Sequence, residues 1–216
     1  MAVGDTRPEA EQRLTRRGLE TRQRIVAAAA DLMFEYGIAE TTIDEIRAAA
    51  GVSSSQVYHY FTDKQALVRA VIDYQTDVVI ESQGDYLNHL DTLEGLKEWR
   101  DFVVDHQRRL QCRGGCPIGS LAAEVAETDP IARVAAARGL RRWEGRIREG
   151  LQTMHDRGDL PVDVDPDDLA LATLAALQGG LLLTQIQRET RPLEAALDSI
   201  LDRIRTLGES ARANTL

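Results

Sequence analysis

Between Ser53 and Lys64 the side chains have the types and spacing to hold a nucleic acid. Ser53, Ser54, Ser55, Gln56, Tyr58, His59 and Tyr60 crowd two helical turns, and only Val57 and Phe61 are left to pack inward. Serine hydroxyls and a glutamine amide can bond base edges, while tyrosine and serine hydroxyls can bond phosphate oxygens. Lys64 opens the next helix, where a cation beside unpaired backbone amides makes a phosphate site.

The elements around these residues are legible from their punctuation. Thr42 and Glu45 have the spacing of a capping box, in which side chains satisfy the orphan amides of a helix start. Ile43, Ile46 and Ala50 then fall on one helical face, and Gly51 ends the helix. Ser53 with Gln56 makes a second box and restarts the chain at once. Thr62 with Gln65 has the spacing of a third, opening a longer helix through Leu67, Val68 and Val71. Two helices joined by a short turn at Gly51-Val52 suit a helix-turn-helix, a unit that sets its second helix in the major groove of DNA. The expected DNA contacts are Arg22, Thr42, Arg47, Ser53, Ser54, Ser55, Gln56, Tyr58, His59, Tyr60 and Lys64.

Residues 21–68 resemble the DNA-binding domain of the TetR family of bacterial transcriptional regulators. The resemblance is carried by Ile25 to Ala29, Phe34, Gly37, Thr42, Ile46, Ala49 to Ser53, Val57 to Phe61, Lys64 and Leu67. It implies an all-α fold: a three-helix DNA-binding domain followed by a variable helical domain that binds a small ligand and forms a homodimer. It also implies a palindromic double-stranded operator, repression as the commoner mode, and an amphipathic or aromatic inducer. One position departs from the family. Position 44, often basic there, is Asp44 followed by Glu45, which makes Arg47, one turn on, the candidate cation of that helix.

The net charge of −9 opposes DNA binding, but the distribution does not. Arg13, Arg16, Arg17, Arg22 and Arg24 form a basic stripe against the single acid Glu20, while acids gather from Asp159 to Asp168. Such segregation allows groove binding while limiting indiscriminate attachment. The polar N-terminus lacks the apolar region of a secretion signal, and no apolar run approaches the roughly 18 residues of a membrane span. A cytoplasmic protein with no membrane partner is expected.

No strand pattern appears. Helices are expected at 21–36, 43–50, 54–60, 64–84, 92–112, 117–127, 130–157, 166–188 and 192–208, giving about nine. The expected division is a flexible arm at 1–19, the DNA-binding domain at 20–66, the ligand and dimer domain at 67–208, and a tail at 209–216. The fourth helix, about 30 Å long at ~1.5 Å per residue, joins the two domains as a rod. Asp165-Pro166-Asp167-Asp168 starts a helix that is apolar almost all round, which requires cover on more than one side. With the following helix it supplies an expected dimer interface of Leu174, Leu177, Leu181, Leu182, Leu197, Ile200, Leu201 and Ile204.

The ligand site is expected between the central helices. Trp99, Phe102, His106, Leu110, Leu121, Trp143, Ile147 and Leu181 supply apolar walls, with Cys116, Gln178, Thr184 and Gln185 as polar contacts. The segment from Gly115 to Glu124 resembles a multidrug- or flavonoid-responsive subgroup of the family. Arg113 and a helix start near Pro117 would lower the Cys116 pKa, so a redox- or electrophile-sensing repressor is the alternative reading. Two cysteines make neither a disulfide framework nor, with His106 alone nearby, a metal site. No cofactor is expected. The histidines at 59, 89, 106 and 155 are scattered, and no catalytic spacing occurs, so a helical enzyme or a plain interaction protein is the distant alternative.

Overall fold

The computed structural model describes residues 14–213 and contains nine helices and no strand among them. The helices are α1 (Arg16–Tyr36), α2 (Ile43–Ala50), α3 (Ser54–Tyr60), α4 (Lys64–Asn88), α5 (Leu93–Arg109), α6 (Pro117–Val125), α7 (Pro130–Asp156), α8 (Pro166–Gln187) and α9 (Arg191–Ala213). Arg13 and the rest of the proposed arm up to that point lie outside the described residues. From Arg16 the chain is already helical, capped by the Thr15 hydroxyl, so residues 16–19 belong to α1 rather than to an arm. At the other end α9 continues to Ala213, through most of the expected tail.

Local chemistry sets the helix starts. Pro117, Pro130 and Pro166 each stand in the first turn, where a missing amide costs nothing. Asp129 and Asp165 cap two of these helices through their carboxylates. The third capping box is a correction. Asp63, not Thr62, caps α4: its carboxylate accepts from the Ala66 amide at 2.6 Å, while the Thr62 hydroxyl donates to Asp63 at 3.2 Å. A carboxylate one residue nearer the helix outcompetes a hydroxyl for the same donors. Helix α4 also runs beyond its expected end, bending at Gly84 (φ 35°, ψ −115°), a conformation that a side chain would resist.

Two cores form, and they do not split at the expected domain boundary. The first gathers Ile25, Met33, Ile46, Val57, Phe61, Leu67 and Val71 of α1–α4, and it also takes Leu121 and Val125 of α6 and Ala132, Ala135 and Ala136 of α7. The second is built from α5, α7, α8 and α9 around Trp99, Trp143, Ile147 and Leu177. Two polar ties reinforce the join. The Ile38 amide donates to Glu124 of α6 at 2.8 Å, and Arg69 of α4 pairs with Asp129 at the start of α7 at 3.3 Å. Helices α4 and α7 approach closely at Gly139, where an added Cβ would lie 2.3 Å from the Thr76 hydroxyl.

One sequence expectation needs amending. Helix α8 is long and apolar enough to cross a membrane, with a mean hydropathy of 1.6 over its best eighteen-residue window. It packs against α7 and α9, with Leu169, Leu177 and Thr184 buried, as a core helix of a bundle does.

Candidate nucleic-acid interface and ligand cavity

Helices α2 and α3 fold as their caps require. The Thr42 amide donates to Glu45 at 2.8 Å and the Thr42 hydroxyl accepts from the Glu45 amide at 3.2 Å. The Thr42 hydroxyl also donates to the Glu45 carboxylate at 2.7 Å, and this bond first, then the one from the Thr42 amide, with the Lys64 charge a minor contributor, holds the Glu45 carboxyl below its ordinary range. Gly51 adopts φ 65° and ψ 42°, a left-handed cap. Ser53 and Gln56 repeat the reciprocal pattern at 2.9 and 3.2 Å. Helix α3 is thereby fixed with Val57 buried and Ser55, Gln56, Tyr58 and His59 exposed.

The expected contact residues share this face unequally. Tyr58 is 56 % exposed and projects from the middle of α3. Tyr60 is half-buried against the head core, edge-on to His59 with ring centroids 4.9 Å apart. Ser54 is half-buried at the helix start, and the Ser55 hydroxyl lies 2.9 Å from that of Ser53. The Gln56 carbonyl is committed to the cap, which leaves its NH2 group to meet a base. Arg47 pairs with Asp44 at 2.7 Å on the exposed side of its own helix, a surface ion pair that a phosphate can displace. Arg22 lies over the Phe61 ring at 5.1 Å, at the foot of α3. Lys64 donates to the Ala39 carbonyl at 3.3 Å, and an ammonium with three donors can add a phosphate to that bond. Arg16 pairs with Glu20 at 3.1 Å, which weakens the basic stripe at its start.

A cavity of 180 Å³ lies between α4, α5, α7 and the α5–α6 loop. Phe102, His106, Cys116, Trp143 and Leu181 line it, as the sequence led us to expect. Seven other expected residues sit elsewhere. Trp99 is buried behind the wall, its indole donating to Gln83 at 2.8 Å, and Ile147 is plain core. Leu110 caps the end of α5 with 41 % of its surface exposed, because that helix stops at Arg109. Leu121 points into the core shared with α1–α4. Thr184 is fully buried in α8, and Gln178 stands against Gly119. Gln185 touches Gly115 and borders a separate outer groove with Phe34, Arg113 and Arg188.

The missed wall is α4, which contributes Gln75, Val78, Val79, Ser82 and Gln83, while α5 adds Gln107. Gln75, Gln83 and Gln107 are buried, and glutamines at inward helical positions were the available signal. Phe102 stacks on Tyr86 with centroids 4.6 Å apart, which braces the α4–α5 wall. Burial, and secondarily Arg109, push the His106 pKa down, so its ring is neutral at pH 7. Burial pushes the Cys116 thiol up, against the smaller pull of the Gly119 amide that donates to its Sγ at 3.4 Å. The expected acidification of Cys116 is therefore reversed: desolvation outweighs the helix start.

Residues 25–71 match the bacterial regulatory proteins of the tetR family, and residues 92–200 match the tetracyclin repressor-like C-terminal domain. This chain belongs to the TetR family. It is 27 % identical over 206 residues to the transcriptional regulator AcuR of Cereibacter sphaeroides, covering 90 % of this chain and 93 % of that one. It is 26 % identical over 192 residues to the transcriptional repressor DhaR of Mycobacterium sp. strain GP1, covering 84 % and 90 %. A TetR transcriptional regulator from Chloroflexus aurantiacus J-10-FL superposes with a TM-score of 0.75 at 33 % identity, covering 88 % of this chain and 96 % of that one. TetR-family proteins are non-enzymatic regulators that bind DNA, act as dimers and bind small ligands.

In this TetR-family chain the exposed face of α8 differs from the expected interface. Leu174, Leu177, Leu181, Leu197 and Ile204 are buried inside the subunit, and Ile200 and Leu201 are half-buried there. Leu182 is the expected residue that remains outside. It joins Leu171, Ala175, Leu183 and Ile186 in an exposed apolar stripe at helical spacing, with Ile186 66 % exposed.

Proposed function

We propose that this protein is a repressor that holds a near-palindromic operator as a dimer and releases it when a small amphipathic or aromatic molecule enters the α4–α5–α7 cavity. The observation that carries this reading is the path of α6. Its start, at Cys116 and Pro117, lines the cavity, and its far half, at Leu121, Glu124 and Val125, is built into the DNA-binding head. Filling the cavity displaces an element that the head cannot ignore. A ligand that prefers the displaced form by ~1.4 kcal/mol lowers operator affinity tenfold.

Within this reading Ser55, Tyr58, His59 and the Gln56 amide face the major groove, and Arg22 and Lys64 approach phosphates. Two subunits joined across the α8 stripe, with α9 beside it, set their α3 helices about one DNA turn apart, ~34–36 Å, or a multiple of it. The kinship with a repressor such as DhaR favours repression over activation. The buried, weakly acidic Cys116 gives the electrophile-sensing alternative no support.

A mobility-shift assay with the DNA upstream of the chain's own gene tests the proposal. Retention of that DNA against excess random duplex, weakened by Tyr58→Phe, is the expected result. Equal competition by random duplex contradicts it.

A further inference from the structure

Two residues that line the cavity each carry a buried polar atom without a partner. Among the described residues, Gln107 Oε1 and Trp143 Nε1 are buried and without a hydrogen bond, and both residues line the same space. Gln83, on the same wall, has both ends of its amide engaged: Trp99 Nε1 donates to its Oε1, and its Nε2 donates to the Val79 carbonyl. Gln178 Nε2 and Thr184 Oγ1 are also buried without a partner, but neither residue lines this cavity. A buried donor or acceptor left alone costs stability, and such groups at a cavity mark a place for an external partner.

The rest of the lining restricts that partner. Among the described residues, none that line the cavity bears an Asp, Glu, Lys or Arg side chain. An ionised ligand would enter without a counter-charge, at a desolvation cost nothing in the wall repays. His106 is neutral at pH 7 and Cys116 stays a thiol, so the wall offers no hidden charge. The volume of 180 Å³ is below the roughly 300–1,000 Å³ of drug-sized sites. Phe102 and Trp143 supply flat apolar surface to the same lining.

We infer that the cavity takes a small uncharged molecule with an apolar, ring-sized body, one acceptor oxygen for Trp143 Nε1 and one donor for Gln107 Oε1. A primary amide or a hydroxy-ketone on one ring has this chemistry; a carboxylate or an ammonium does not. The inference rests on the proposed reading of this cavity as the ligand site and adds the ligand's charge, size and hydrogen-bonding pattern.

The test uses the full chain and four size-matched probes: 2-phenylacetamide, phenylacetate, 2-phenylethylammonium and ethylbenzene. Trp99 and Trp143 are the only tryptophans, so a 15N spectrum holds two indole N–H signals, and Trp143→Phe assigns them. The amide is expected to move the Trp143 signal in a saturable way and to bind about tenfold or more tighter than either ion. Gln107→Met is expected to remove about a tenfold share of amide affinity while sparing ethylbenzene. Binding of either ion as tight as the amide, or a Trp143 signal that no probe moves, overturns the inference. DNA release is scored separately. Amide bound at Trp143 with DNA still held leaves the ligand class standing and removes the inducer role; DNA released by a charged compound bound at Trp143 does the reverse.

Discussion

The DNA-binding head and the cavity treat polar side chains in opposite ways. In the head, Thr42, Ser53 and Asp63 each satisfy a helix start through an amide three residues ahead. Those bonds are local, so α2, α3 and α4 begin where they do whatever the rest of the chain is doing. At the cavity, local bonds such as Gln83 Nε2 to the Val79 carbonyl stand beside partners from distant segments and atoms with none. Gln83 reaches Trp99 on the next helix, while Gln107 Oε1 and Trp143 Nε1 reach nothing. One region is set by its own sequence; the other is set by how four helices pack and therefore responds to what fills it. Helix α6 has one end in each, and in the proposed function it carries the second property to the first as a signal.

The largest expected effect separates two leucines that sequence reasoning placed in the same pocket. Leu121→Ala should cost about 2–5 kcal/mol in denaturant unfolding, because its side chain sits in the head core. Leu110→Ala should stay within about 0.5 kcal/mol, being exposed at a helix end. Equal, small effects would detach α6 from the head and break the contrast.

A smaller effect probes the locality of the caps. Thr42→Ala should lose about 1 kcal/mol through the missing N-cap. It should also change the acid side of the stability profile. The folded Glu45 pKa is depressed by Thr42, so its contribution is fully present above the ordinary carboxylate range and is lost as pH falls through the lowered value. Urea unfolding followed through that range should show a gentler acid decline in the variant than in the parent. An unchanged decline would place the head's acid sensitivity elsewhere.

The smallest change sharpens the assignment of Lys64. Lys64→Ala should weaken binding similarly across duplex sequences and reduce the slope of log affinity against log salt by about one unit. An unaltered slope would leave Lys64 as a tie to the Ala39 carbonyl only.

How far the sequence was readable follows the same division. The bounds of α2 and α3 were legible because capping boxes span three residues and nothing remote competes. The start of α4 was misread for a local reason too: Asp63 and Thr62 were rivals, and the carboxylate won. The cavity was half legible. Aromatic and apolar residues at helical spacing found Phe102, His106 and Trp143, but the same spacing in Ile147 and Leu121 leads into cores. Gln75 and Gln83 sit at inward positions of α4, but only the packing of α4 against α5 and α7 turns that position into a cavity wall. Helix α8 was the hardest case. A helix apolar on every side carries no mark of which leucines meet α7 and α9 and which, such as Leu182 and Ile186, remain outside.

Hydroxyl-radical footprinting of the purified dimer on the DNA upstream of its gene tests most directly whether paired α3 helices enter successive major grooves. Two protected half-sites with symmetric sequence, centred about 10 base pairs or a multiple of that apart, are predicted. A single protected patch without symmetry, or uniform protection along the duplex, would contradict the account.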